Sequence, residues 1–318
     1  MSERAVRFLE SSFLKDILSI PGVTDVSYNG EGFFYEANEE GRRKADLRQN
    51  EGDVASFLRQ IANLTERQFS YRSPILDVSF SRYRLNAVFP SLSRSHDAKT
   101  CSFSLRIGSD KDILEGDGGF FGGSKPFLLT ALKEGENIVI GGPTSSGKTE
   151  LEKWLLRRME GNKRVIVIDD LEELGMVSNP NIDLTTWLVN DSLPMATFPS
   201  LVKNALRSDP DYIVIAEARG GEMLEGILSA LSGHAIITTI HAKSLLEMPE
   251  RMARLAMMGD RRLSETELYD DVHRLFRYFA FLGKRQRDDG KIERRVEEIG
   301  RTNPRTGEIE VVFQRREE

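Results

Sequence analysis

Cysteine is almost missing from this 318-residue chain, and Cys101 is its one example. One thiol makes no internal disulfide and offers no thiolate cluster to zinc, and it agrees with a reducing compartment. Long apolar runs are missing too. None approaches the about 18 residues of a membrane-spanning helix, so no integral membrane segment is expected. Glu3, Arg4, Arg7 and Glu10 interrupt the apolar residues at the N-terminus, which is not the pattern of a signal peptide. A strong charge bias is also lacking. Lys plus Arg number 44 against 50 Asp plus Glu, a net charge of −6. That balance argues against a dedicated nucleic-acid binder, and no sequence-specific nucleic-acid binding is expected. With 39% hydrophobic and 30% charged residues, disorder, collagen and coiled coil are excluded.

What is present falls into two parts. Val6, Leu9, Phe13, Ile17 and Ile20 recur at helical spacing and predict one helix, closed by Pro21-Gly22 and packed on its own domain. Strand-like runs at 23–28, 32–35, 76–89 and 102–107, with a helix at 54–64, predict an α+β domain over residues 1–108. The glycine-rich run from Gly116 to Ser124 reads as a hinge, and the linker is placed at 109–124. Beyond it, apolar strands at 137–141, 164–168, 212–216 and 235–240 alternate with helices at 149–159 and 223–231. That alternation predicts an α/β domain over 125–318 with a mainly parallel, doubly wound sheet. Its C-terminal extension mixes helices at 250–258 and 265–276 with strands at 278–282 and 309–313.

The strongest local signal is Gly142-Pro143-Thr144-Ser145-Ser146-Gly147-Lys148-Thr149, a full GxxxxGK[ST] match between a strand and a helix. Its glycines let successive backbone N–H groups face a phosphate, and the helix N-terminus adds its dipole. Lys148 adds a charge toward the β- and γ-phosphates, and the Thr149 hydroxyl is a ligand for Mg²⁺. A nucleotide's phosphates and Mg²⁺ are therefore the expected ligands. Kinases, GTPases, transporter ATPases and motors share this loop, so other residues must choose among them.

The strand at 165–168 runs into Asp169-Asp170-Leu171-Glu172-Glu173, four carboxylates where open α/β sheets place their ligands. One of them is suited to polarise the attacking water. Asp211-Tyr212-Ile213-Val214-Ile215-Ala216-Glu217 has the form of a Walker B strand whose last carboxylate holds Mg²⁺ through water, and Arg219 follows. His234 precedes and His241 follows the next strand, and His241 is placed to sense the γ-phosphate or donate to it. A GTPase base-reading NKxD is lacking, because Asn162-Lys163 is followed by Arg164-Val165. Leu231-Ser232-Gly233 resembles a transporter signature but lies after Glu217 instead of before it. A small-molecule phosphotransferase stays open.

With loop, acidic box, Walker B strand and histidine box in this order, the chain resembles the secretion and pilus traffic ATPases. That superfamily powers type II and type IV secretion, conjugation and type IV pili. Ile168-Asp169-Asp170-Leu171-Glu172-Glu173 resembles its acidic box, with Glu173 at the catalytic position. The stretch from Leu206 to Arg219 resembles its Leu-Arg-x-x-Pro-Asp-x-Ile-x-x-Gly-Glu-x-Arg motif, and Gly233-His234 with Thr239-Ile240-His241 resembles its histidine box. Pro249-Glu250-Arg251-Met252 and Ile20-Pro21-Gly22-Val23-Thr24-Asp25-Val26 are similar to flanking family stretches. Ser145, Glu150, Ala216 and Asp169 depart from the family's Gly, Thr, Gly and Glu. The four-cysteine module of type II secretion ATPases is lacking.

The resemblance implies a RecA-like ATPase domain preceded by the smaller α+β domain, assembled as a homohexamer. ATP would bind between the domains, with Arg106 and Arg84 offered to the γ-phosphate. Glu173 would orient water, and Glu217, Arg219 and His241 would complete the catalytic set. The implied place is cytoplasmic, peripheral to the inner face of the membrane, against the cytoplasmic-face components of a secretion, conjugation or pilus machine. The short N-terminal part resembles the conjugation and type IV secretion side, whereas the His234 to His241 spacing resembles pilus motors. Both branches stay open at this point.

Overall fold

The computed structural model describes residues 2–37, 41–109, 111–170, 172–190, 193–287 and 291–316. Leu171 of the acidic run and Asp110 of the expected linker lie outside them. The chain divides into two compact units. One holds Met1–Asp110 and Gln286–Glu293, the other Lys111–Arg285 and Arg294–Glu318.

The first unit begins with helices α1 (Ser2–Glu10) and α2 (Lys15–Leu18). The spacing predicted one helix here, and the structure has two. Ser11 Oγ donates to Arg7 O and Ser12 Oγ donates to Leu9 O, both at 2.7 Å. These serine bonds compete with the helix ladder where it stops. Strands β1 (Val23–Tyr28), β2 (Phe33–Ala37) and β3 (Gly41–Lys44) follow, then α3 (Glu51–Leu64). The Asn50 side chain caps α3 by accepting from Asp53 N at 2.8 Å. After β4 (Ile75–Phe80), β5 (Tyr83–Val88), the short pair β6 (Arg94–Ser95) and β7 (Ala98–Lys99), and β8 (Ser102–Ile107), the main sheet has the order β3-β2-β1-β8-β5-β4. Alternation decides its two faces. Tyr83, Leu85 and Ala87 are buried, while Arg84 and Asn86 turn the other way. The buried face packs Leu85, Phe103 and Leu105 against Ala5, Leu9, Phe57, Leu58 and Ile61 of the helices.

The second unit opens with α4 (Gly118–Phe121) and α5 (Lys125–Glu134). The stretch expected as a bare linker is therefore partly folded. Phe120 and Phe121 are buried in the unit's core, and Phe121 packs on Trp154 with ring centroids 4.7 Å apart. Next come β9 (Ile138–Gly142), α6 (Lys148–Arg158), β10 (Arg164–Asp169), β11 (Asp183–Leu188), α7 (Phe198–Ala205), β12 (Tyr212–Ile215), α8 (Glu222–Leu231) and β13 (Ala235–His241). The chain ends with α9 (Met248–Ala256), α10 (Glu265–Leu275), β14 (Tyr278–Gln286), β15 (Ile292–Thr302) and β16 (Ile309–Gln314). The sheet order is β11-β10-β12-β13-β9-β14-β15-β16.

Strands β11 to β9 and the β9–β14 pair are parallel. The near-continuous apolar runs of β9, β10, β12 and β13 follow from helices covering both faces. Val165, Val167, Tyr212 and Val214 pack on one side with Leu151, Trp154 and Leu155 of α6. Ile166, Ile168, Ile213 and Ile215 pack on the other with Met223 and Ile227 of α8 and Met252 of α9. The parallel arrangement brings the ends of β9, β10, β12 and β13 to one edge of the sheet. No helix among the described residues is long and apolar enough to cross a membrane.

Candidate functional site

The GxxxxGK[ST] segment lies at that edge as a tight loop between β9 and α6. Gly142 has φ 156°, and a Cβ there would lie 2.6 Å from Leu282 O. Gly147 is left-handed at φ 98° and starts α6. Ser145 also has a left-handed backbone, φ 60°, at the position where the resembling family carries glycine. Alternating left-handed residues turn the loop's N–H groups into a concave anion nest. Ser146 Oγ is buried there with no hydrogen-bond partner.

Lys148 is almost fully buried and folds back on its own loop. Its Nζ donates to Gly142 O at 3.2 Å and Pro143 O at 3.0 Å. It also stands 3.4 Å from His241 Nδ1. His241 pairs with Gly142 in the β13–β9 register, which puts its ring beside the loop. On its far side, His241 Nε2 lies 2.9 Å from Glu217 Oε1. Glu217 Oε2 accepts from Arg219 at 2.8 Å, and Arg219 reaches Asp170 Oδ2 at 3.0 Å. One polar chain thus joins the phosphate loop to the ends of β13, β12 and β10. Burial favours the neutral form of Glu217. The Arg219 hydrogen bond and charge, with His241 and Lys148, outweigh it and hold the carboxyl below its ordinary value.

Asp169 is buried at the end of β10 and accepts from Leu174 N at 2.9 Å. Glu172 is left-handed at φ 57°, and burial followed by the Asp169 charge raises its carboxyl. Glu173, half-buried, precedes the short turn Leu174–Met176. His234 stands at the start of β13 and His241 at its end. His234 Nδ1 is 2.9 Å from Pro210 O, so it is a structural neighbour of the β12 entry and not part of the loop cluster. In the first unit, Arg84 and Arg106 face each other across the β5–β8 register, and Arg84 Nη2 pairs with Asp77 Oδ2 at 3.2 Å.

Two residues of the cluster escaped the sequence reading. Glu152 lies on α6 four residues beyond Lys148, fully buried, and neither carboxyl oxygen has a hydrogen bond. Burial first, then the charges of Asp169, Glu217 and Glu173, raise it well above the ordinary carboxylate value. The i to i+4 spacing from Lys148 was its only signal. Arg294 of β15 donates from Nε to Ser145 O at 2.8 Å, and a separation of 149 residues left no signal at all.

The donor set fits a nucleotide triphosphate with Mg²⁺. The nest and Lys148 suit phosphate, and Thr149 and Glu217 are hard oxygen ligands of the kind Mg²⁺ takes beside substrate phosphates and water. Among the described residues no group of three or more His, Cys, Asp or Glu holds a metal by itself, so a bound metal here would lean on the phosphates.

The profile of the family described as Type II/IV secretion system protein matches residues 119–280, half of the chain. The chain belongs to that family. Its sheet is the mixed α/β sheet of a P-loop ATPase domain, here preceded by the smaller α+β unit. An uncharacterized protein of Bacillus anthracis is 28% identical over 266 residues, 81% of this chain and 58% of that protein. The type IV secretion system protein VirB11 of Bartonella quintana is 38% identical over 131 residues, 41% of this chain and 36% of that protein. The chain thus spans about a third to three fifths of these two relatives. The Legionella pneumophila ATPase DotB shares the fold of this family member, with a TM-score of 0.64 at 22% identity over 88% of this chain and 77% of that one.

Proposed function

We propose that the chain is an ATP-hydrolysing motor of a type IV secretion or conjugation machine, working as a homohexamer at the cytoplasmic face of the membrane. The observation that carries the reading is the polar chain from Lys148 through His241, Glu217 and Arg219 to Asp170 at the rim of the phosphate loop. A phosphate-binding lysine tied to a sheet-end acid through a histidine suits a site that reports whether a γ-phosphate is present.

In this reading residues 142–149 cradle the phosphates, and Thr149 and Glu217 hold Mg²⁺, Glu217 through water. Mg²⁺ supplies charge neutralisation of the phosphates when bound. Lys148 leaves its own carbonyls for the β/γ-phosphates. Glu173 orients the attacking water, and His241 and Arg219 keep Glu217 ionised.

The test measures solution mass and phosphate release together, with Mg²⁺ and ATP or its non-hydrolysable analogue. A mass six times that of the chain, with release that needs no acceptor molecule, supports the motor. A stable monomer whose release depends on a small-molecule acceptor would replace it with a phosphotransferase.

A further inference from the structure

We propose that Arg294 is a positioning residue of the phosphate loop, locking the Ser145–Ser146 peptide with its N–H turned to the phosphate side. The proposal rests on the loop's being the nucleotide site. It starts from Ser145, whose left-handed backbone at φ 60° is strained for any residue with a Cβ. Relaxing that strain would turn the peptide planes that flank Ser145, and the loop's N–H groups would turn with them. Glycine at this position has no such tendency.

Arg294 opposes the turn directly. Its Nε donates to Ser145 O at 2.8 Å, a charge-assisted bond. The peptide is planar and trans, so a carbonyl held toward Arg294 sends the Ser146 N–H to the opposite side. Ser145 and Gly147, two residues apart and both left-handed, then keep the nest concave. The strand that carries this arginine is packed at the next two positions. Next to it, Arg295 is buried and donates to Glu297 at 2.8 Å, and Val296 lies in the core. The C-terminal strands thus supply the restraint that the serine made necessary.

The experiment compares ADP affinity in the full chain for the unchanged protein, Arg294→Ala, Ser145→Gly and the double variant, using a fluorescent ADP. Arg294→Ala weakens binding about tenfold, the loss expected of one charge-assisted bond. In the Ser145→Gly background the same change costs about threefold or less, because glycine removes the strain that the arginine restrains. A purely structural arginine would give equal losses in both backgrounds, and that result overturns the proposal. So does an unchanged affinity in Arg294→Ala. If Arg294→Ala fails to melt cooperatively, Arg294→Lys is read against Ser145→Gly by the same rule. Lys148→Ala is measured alongside. Full affinity in Lys148→Ala sinks the nucleotide-site reading itself, whereas its loss together with an unaffected Arg294→Ala sinks only the role of Arg294.

Discussion

Lys148 Nζ and His241 Nδ1 stand 3.4 Å apart, and the second nitrogen of His241 lies 2.9 Å from Glu217 Oε1. The histidine therefore touches both charges that a nucleotide would engage. Without phosphate, Lys148 satisfies its donors on the carbonyls of Gly142 and Pro143. In the proposed reading, a γ-phosphate would compete for that ammonium, a movement of Lys148 would change what His241 faces, and Glu217, Arg219 and Asp170 lie next along the same polar chain.

Removing His241 should cut this link without emptying the site. His241→Ala is expected to lower turnover at saturating ATP about a hundredfold, the usual scale for loss of one preorganised polar group. ADP affinity should stay within about threefold, since the loop and Lys148 remain. Steady-state phosphate release and nucleotide titration separate the two. Normal turnover with collapsed affinity would make the histidine a binding group.

Glu173→Gln should bind ATP as tightly as the unchanged protein and lose hydrolysis by about two orders of magnitude or more. The neighbouring acids give the control. Glu172 is held left-handed beside the buried Asp169, a strained backbone of the kind that collects at working sites. If Glu172→Gln abolishes single-turnover hydrolysis and Glu173→Gln does not, the water is oriented by Glu172.

The positions of the 142–149 loop, of strand β12 and of His241 at the end of β13 were readable in the sequence because each depends on contacts within a few residues or on one apolar strand. The first helix was misread because Ser11 and Ser12 can bond backward to their own chain, and apolar spacing does not register that. Strand β11 escaped because Asp183–Leu188 carries two threonines and an acid at the edge of the sheet, so no apolar run marks it. Glu152 escaped because it sits among Lys148, Thr149, Glu150 and Lys153 of α6, and a glutamate among such residues reads as solvated. Arg294 needed the folded sheet to come near Ser145.

Cys101 offers a check on the first unit. It is fully buried, and burial, helped by the Glu51 charge and opposed by Arg59, pushes its thiol up to about 11. The thiolate is the reactive form, so the native protein should resist a thiol reagent at pH 8 for as long as the unit stays folded. Denaturant should release one reactive thiol per chain. Rapid labelling of the native protein would contradict the packing of this core.

Glu152 gives the sharpest stability prediction. Its carboxyl is buried among Asp169, Glu217 and Glu173 and has no hydrogen bond, so the folded protein favours its protonated form. The unfolded chain ionises it near the ordinary value of 4.5. Above that value the native state binds more protons at this group than the unfolded state, so its contribution to stability falls as pH rises. Glu152→Leu removes both the unmet hydrogen bonds and the titration. It should stabilise the metal-free protein by about 1–3 kcal/mol at neutral pH, the usual cost of burying an unsatisfied polar group. The gap between variant and unchanged protein should widen from pH 5 to pH 8 in denaturant titrations. A gap that stays flat or closes over that range would mean that Glu152 is ionised in the fold and paired with a cation.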